Sequence, residues 1–368
     1  MSPVTPTGHS VADIPTETLV AASFLSIEGE TRVQRFVRSL DTQSCDRTLL
    51  DRVAEQLALS PDEARSRIET ALARARRALD AADRLGLAVL TVGGEAYPDL
   101  LGHIIDPPIV LWVKGSVAVL SEPLVAVVGA RAASPAGLTA ARQLGQDLAS
   151  AGLTVVSGMA RGVDGAAHAG ALDGAGATVA VLGCGVDVVY PPEHTQLAQR
   201  IAETGAIVSE LAPGAQPFPH HFPLRNRIIS GLARAVVVIE ASEKSGSLIT
   251  ARAANEQGRD VLAVPGPILT GRSRGCHALI RDGARIVDSA KDILEEIGWT
   301  RAARPADARN KSLQMSELEE TMAAGESYTV DDLASRTGRP ARELLAELGE
   351  LELAGRVSRV AGGAFVKA

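Results

Sequence analysis

The chain has few cysteines, few aromatic residues, no long apolar run and no basic excess. Its three cysteines, Cys45, Cys184 and Cys276, stand far apart without a C-x-x-C pair. That spacing excludes a disulfide framework and a cysteine zinc site. Aromatics are scarce, at only 3% of the residues. No apolar run reaches the roughly 20 residues that span a bilayer, and no basic and apolar leader opens the chain. The expectation is a soluble cytoplasmic protein with no membrane partner. Net charge is −7, with the acid surplus spread along the whole length, which excludes a generally basic nucleic-acid binder. Any polyanion must be held by local arginine clusters.

What is present suffices for two or three domains: 368 residues, 46% of them apolar. Residues 1–15 are rich in Pro, Ser and Thr and read as a disordered tail. From residue 16 to 85 the spacing is helical, carried by Leu19, Phe24, Leu25, Val33, Phe36, Val37 and Leu40. Ser60-Pro61-Asp62-Glu63 is a helix start, and its arginine stripe (Arg65, Arg67, Arg74, Arg76, Arg77) reads as a solvated face. Residues 86–121, with short strands and proline corners, read as a connector.

Residues 122–299 alternate apolar strands with helical segments. Strands are expected at 124–128, 153–156, 178–182, 206–208, 235–239, 261–264 and 284–287. Continuous apolar strands between helices predict an α/β domain, an extended Rossmann-like, doubly wound parallel sheet. Ligands in such sheets sit beyond the carboxyl ends of the strands. Residues 300–312 form a linker. In 313–368 two helices, the second with Leu344, Leu345, Leu348 and Leu351 inward, precede a hairpin and predict a winged helix. Its acids (Asp331, Asp332, Glu343, Glu347, Glu350) favour protein contact or a weak DNA role.

One stretch organises the rest: Thr154-Val155-Val156-Ser157-Gly158-Met159-Ala160-Arg161-Gly162-Val163-Asp164, running on to His168. It reads as a buried strand, a glycine turn and a helix that Asp164 caps. Such a turn aims N–H groups and a positive dipole end at one spot, an anion site to which Arg161 adds charge. The plainer reading is that Gly158 and Gly162 serve a tight turn only. Three further clusters lie at strand ends. They are Gly129-Ala130-Arg131 leading to Ser134-Pro135, Phe222-Pro223-Leu224-Arg225-Asn226-Arg227, and Glu240 followed by Lys244-Ser245-Gly246-Ser247 with Thr250.

Gly129-Ala130-Arg131 is not G-x-G-x-x-G, no acid closes the second strand, and no G-K-[ST] loop occurs, which argues against a dinucleotide or P-loop cofactor. No cofactor is expected. Arg131, Arg161, Arg225, Arg227 and Lys244 on one predicted edge suit a polyanion followed along its backbone. Taken singly, each arginine also fits a structural ion pair. His168 reads as a packing residue, and His220-His221 lacks the partners of a metal site.

Together these motifs closely resemble the DNA-processing protein A family (DprA, also called Smf). Tyr97-Pro98, Asp106-Pro107-Pro108, Tyr190-Pro191 and Pro265-Gly266 complete the match over about residues 86–288. A helical N-terminal domain of the SAM/helix-hairpin-helix type and a C-terminal winged helix suit the family's longer members. The resemblance implies a non-catalytic single-stranded DNA-binding protein of natural transformation and recombination. It would protect incoming strands, help load the RecA recombinase and form a homodimer. It places the family's G-S-R motif on Gly129, Ala130 and Arg131, and its glycine-rich motif on Ser157 to Asp164. Its lysine turn falls on Lys244 to Ser247. Ala130 departs from the usual serine, and His277 from the usual asparagine. Two rivals stand beside this reading. One is a phosphoribohydrolase-type enzyme using Glu240 or Glu256, although its P-G-G-x-G-T-x-x-E pattern is missing; the other is a scaffold acting through the winged helix.

Overall fold

The computed structural model describes residues 14–27, 49–56, 58–299, 318, 321–322, 327–353, 357–359 and 364–367. The tail up to residue 13, the linker 300–312, Cys45, Val33, Phe36, Val37 and Leu40 lie outside them. The chain forms two compact units, Met1–Arg301 and Ala302–Ala368.

Among the described residues three helices begin the first unit: α1 (Thr16–Ile27), α2 (Leu49–Gln56) and α3 (Pro61–Arg84). Ser60 caps α3 in a capping box with Glu63, and Pro61 fills the first turn, where no N–H is needed. Ala71, Ala75, Ala78 and Ala82 form its buried stripe, small enough for α1 to pack closely. The five arginines of its stripe are all exposed, and Arg76 pairs with Glu17 at 2.7 Å. That is the solvated face expected from the sequence.

The helices share one apolar core with a nine-stranded sheet. Its strands are β1 (Ala88–Thr91), β2 (Val110–Gly115), β3 (Leu124–Val128), β4 (Thr154–Ser157), β5 (Thr178–Val181), β6 (Ala206–Ser209), β7 (Ala235–Val238), β8 (Asp260–Ala263) and β9 (Arg285–Ile286). The order is β1-β2-β6-β5-β4-β3-β7-β8-β9. β1 and β2 pair antiparallel with each other and β2 with β6, while every other pairing is parallel. The segment read as a connector therefore supplies two strands of the sheet. Ile109 to Val113 are almost wholly buried, as an unbroken apolar run demands, and Pro107-Pro108 only leads into that run.

Helices α4 (Pro135–Ser150), α5 (Val163–Asp173), α6 (Thr195–Thr204), α7 (His221–Leu232), α8 (Ser247–Glu256) and α9 (Arg274–Arg281) connect the strands, and α10 (Ala290–Glu296) follows β9. Alternate β3 residues feed two cores: Val125 and Val127 join the one under α4 and α5, Ala126 and Val128 the other. From β3 the chain steps to β4, β5 and β6 on one side, then crosses to β7, β8 and β9 on the other. This reversal at β3 and β7 opens the crevice in which such folds hold ligands.

The second unit contains β10 (Ser327–Tyr328), α11 (Val330–Thr337), α12 (Ala341–Leu353), β11 (Val357–Arg359) and β12 (Phe365–Lys367), its strands ordered β10-β12-β11. Thr329 caps α11, and Gly338, at φ 68°, ends it in the left-handed conformation. Tyr328, Leu333, Leu344, Leu348, Leu351, Val357 and Phe365 make its core. Leu345, read as inward, is 47% exposed, because positions 344, 348 and 351 already fill the buried stripe. Among the described residues no helix is long and apolar enough to cross a membrane.

Candidate nucleic-acid interface

A cleft of about 620 Å³ opens at the carboxyl edge, between the turns after β3 and β7. Of the residues singled out from the sequence, Gly129, Ala130, Arg131, Ala160, Asp164, Arg225, Asn226, Ser245, Gly246, Ser247 and Thr250 line it. Gly158 and Arg161 line a small neighbouring notch that shares Arg131, Ala160 and Arg225 with it. Ser157, Met159 and Gly162 lie behind the wall; Lys244 stands exposed in the turn that carries Ser242 and Ser245. Arg227 is not brought to the cleft.

The turn after β4 is packed from within. The buried Asp164 carboxylate accepts the Gly158 N–H at 3.2 Å and the Ala160 N–H at 3.4 Å. Asp164 is thus the second residue of α5 rather than its cap, a position held by Gly162. It occupies the anion seat that the turn would otherwise offer. Burial raises its pKa, opposed chiefly by the Arg225 charge. Arg225 is buried too. Its guanidinium donates to Gly158 O at 2.7 Å and to Val181 O, and its Nε donates to Asn226 Oδ1 at 3.1 Å. Burial lowers its pKa to about 10, which still leaves it charged at neutral pH.

Ser157 spends its hydroxyl on Val127 O at 2.6 Å. Met159 is buried at φ 54°, a conformation unusual for a side-chain-bearing residue. Gly162 cannot be replaced freely. Its φ is 77°, and a Cβ there would lie 2.2 Å from Ala130 O.

A second carboxylate fills a second helix N-terminus. Glu240, two residues after β7, accepts the Ser134 N–H at 3.1 Å and its hydroxyl, while Ser134 Oγ accepts the Gly137 N–H at the start of α4. Its backbone O accepts the Ala130 N–H at 2.7 Å, tying the turns after β3 and β7 together. Arg272 reaches over from the loop before α9. It lies 3.6 Å from the Glu240 carboxylate and donates to Ala132 O at 2.7 Å. Glu256 lies exposed at the far end of α8, outside the cleft lining.

The remaining wall is open to a ligand. Arg131 is exposed and makes no ion pair among the described residues; its guanidinium lies 5.3 Å from the Phe222 ring centroid. Phe222 in turn meets Tyr190 at 5.4 Å. Across the cleft, Ser245 and Ser247 exchange a hydroxyl bond of 2.8 Å at the start of α8, and Thr250 lines the first turn. No ion pair involves Lys244 among the described residues. Arg131, hydroxyls and a helix N-terminus thus converge on one cleft, and Lys244 stands exposed in the turn that carries Ser242 and Ser245.

The other arginines are held by acids. Arg161 is exposed and pairs with Glu193, whose carboxyl drops to about 2 through that hydrogen bond. Arg227 pairs with Glu210 at 2.7 Å and Asp106 at 3.3 Å. Burial depresses Arg227, and the two acids more than reverse it, so its pKa rises. The role of Arg227 is to tie α7 to the segment before β2. His168 is fully buried, and its Nδ1 lies 2.7 Å from the Thr178 hydroxyl. That hydroxyl donates to Val155 O, so Nδ1–H donates to it, and burial lowers the imidazole pKa to about 3. At His277, Nε2 lies 3.0 Å from Gly266 O.

The sequence pattern does not point to Arg272 or Tyr190 as cleft residues, and it offers Glu240 only as a catalytic alternative. Tyr190 stands beside the motif proline Pro191, a usable signal. Arg272 sits among the scattered polar residues of 270–274 and carries none.

Fold and cleft define a class: a Rossmann-like α/β protein with an anion-receptive edge, joined in one chain to a winged helix. Residues 88–298 match the family model of DNA recombination-mediator protein A, and residues 302–363 match the DprA winged helix domain. The chain belongs to the DNA recombination-mediator protein A (DprA/Smf) family. The first range begins at β1, in agreement with the place of β1 and β2 in the sheet.

The chain is 48% identical to the DNA processing protein DprA of Streptococcus pneumoniae over 202 residues, 55% of this chain and 71% of that protein. It is 41% identical to protein Smf of Escherichia coli over 286 residues, covering 75% and 76%. The X-ray structure of the pneumococcal DprA superimposes with a TM-score of 0.68 at 37% identity, covering 78% of this chain and 99% of that one. DNA processing protein A of Helicobacter pylori, solved for its single-stranded DNA binding mode, superimposes with a TM-score of 0.52 at 29% identity. That match covers 57% of this chain and 95% of the other.

Proposed function

We propose that this chain binds single-stranded DNA along the carboxyl edge of the sheet and does not cleave it. The strand's phosphates sit between Arg131 and the Lys244–Ser247 turn, with Arg225 and Asn226 holding the wall behind them. The observation that carries this reading is Arg131, without an ion pair among the described residues, in a cleft whose own carboxylates are already hydrogen-bonded, with Lys244 exposed in the turn whose Ser245 lines the same cleft. The binding mode of the Helicobacter pylori relative supports the same ligand. The family resemblance extends the proposal: a cytoplasmic homodimer that protects incoming DNA and helps load RecA in natural transformation and recombination.

The test is fluorescence anisotropy with a labelled single strand, against duplex, over a salt series. Arg131→Ala is expected to weaken single-strand binding at least about tenfold, the scale of one charge-assisted phosphate contact. Unchanged binding by folded Arg131→Ala and Lys244→Ala proteins would falsify the site. Sedimentation of the chain alone, and strand-dependent capture of RecA, check the two partner proposals.

A further inference from the structure

The phosphate seats leave unused a group of rings just outside the cleft, in Gln216-Pro217-Phe218-Pro219-His220-His221-Phe222. We propose that Phe218 and His220 form a base-stacking step that lengthens the single-stranded DNA path beyond the cleft. The proposal rests on the single-stranded DNA reading of that cleft.

Phe218 is an apolar side chain displayed to solvent, 53% exposed. Its ring runs nearly parallel to His220, at 5.9 Å and 9°, and meets His221 edge-on at 5.6 Å. His220 and His221 are themselves 4.3 Å apart. The rings are mounted rigidly. Pro217 and Pro219 restrict the backbone on both sides of Phe218, and the His221 N–H donates to Phe218 O at 3.0 Å to close the turn. A ligand that stacks there has little chain entropy to overcome.

The same turn leads into the cleft. Pro219 and Phe222 line it, and Phe222 contacts Tyr190 and the Arg131 guanidinium. A strand whose phosphate is held at Arg131 therefore has its next bases beside rings. Nucleobases fit this surface better than an apolar partner does. From Gln216 to Phe222 the rings alternate with imidazoles and prolines rather than aliphatic side chains, and the segment from Leu211 to Arg227 carries no acid of its own; the Asp187 carboxylate that meets it is taken up by the Gly214 N–H at 2.8 Å. Base-on-ring stacking also tolerates any sequence, which suits a binder of unselected single strands.

The test uses the full chain and oligothymidylates of increasing length. Phe218→Ala is expected to weaken long strands about tenfold. The shortest strand that still depends on Arg131 should bind as in wild type. The slope of affinity against salt stays the same, because no phosphate contact is lost. Phe218→Trp is expected to keep the affinity and to show tryptophan quenching when DNA is added, beyond any change in the wild-type signal of the buried Trp112 and the half-buried Trp299. Equal affinity of Phe218→Ala and wild type at every length, with no quenching in Phe218→Trp, overturns the platform alone if Arg131→Ala still weakens binding. A wild-type chain that binds no strand overturns the cleft reading and the platform together.

Discussion

The turns after β4 and after β7 each carry a strand into a helix N-terminus at the same edge of one sheet. After β4, Asp164 turns back and takes the Gly158 and Ala160 N–H groups, Arg225 is buried behind them, and Arg161 is held by Glu193. After β7, the corresponding carboxylate, Glu240, caps a different helix, and the turn itself keeps Ser245 and Ser247 in the cleft lining with Lys244 exposed next to them. A strand–turn–helix unit therefore receives an outside anion only where the chain has not supplied its own. On the proposed function, the turn after β4 is the frame and the turns after β3 and β7 carry the binding face.

The comparison breaks most sharply at Asp164. Asp164→Ala strands the buried Arg225 charge and two N–H groups, so it is expected to cost about 3 kcal/mol or more of stability. Urea unfolding measures this directly. An Asp164→Ala protein of wild-type stability that binds DNA more tightly would show that the carboxylate is a removable plug and not part of the frame.

A pH series separates the same two regions. The His168 imidazole, on α5 behind the β4 turn, titrates near 3 in the folded chain, below its ordinary 6.5. The fold prefers the neutral ring. Its contribution is therefore complete above pH 6.5 and declines as pH falls from 6.5 toward 3, by about 1.4 kcal/mol per unit. Tm is expected to drop between pH 7 and pH 5 in wild type, and to drop less in His168→Gln. Hydrogen exchange at pH 5 should loosen α5 before α8; simultaneous loosening would remove the distinction between frame and face.

On the open side, Lys244 has no ion pair to lose among the described residues. Lys244→Ala is expected to leave the urea midpoint unchanged, to weaken single-strand binding several-fold, and to reduce the salt slope by about 1. A loss of stability instead would move Lys244 from face to frame.

Much of this architecture was legible in residues. Unbroken apolar strands and Ser134-Pro135 signal the parallel sheet and the start of α4, and the motif order along 86–288 points to the family. Two things were not. β1 and β2 join the sheet antiparallel at its far edge, a pairing that depends on which neighbour is left open and not on local pattern. The commitments of the arginines were hidden as well, because Glu193, Glu210 and Asp106 stand 32, 17 and 121 positions from the groups they hold. Charge type is visible in a sequence; charge partnership is a property of the fold.

Arg161 puts that last point to the smallest but most direct test. Its place in the glycine turn makes it the natural phosphate ligand, yet in the fold it is exposed and paired with Glu193. Exposed pairs of this kind contribute little to stability, so Arg161→Ala is expected to leave Tm unchanged and to alter single-strand affinity less than about twofold. Glu193→Gln removes the competing carboxylate without removing the guanidinium, and is expected to tighten binding at low salt, where surface charge is least screened. If Arg161→Ala instead weakens binding as much as Arg131→Ala does, the pair opens when DNA arrives. The turn after β4 would then be a phosphate seat in its own right, and the contrast between the two turns would hold only for the free protein.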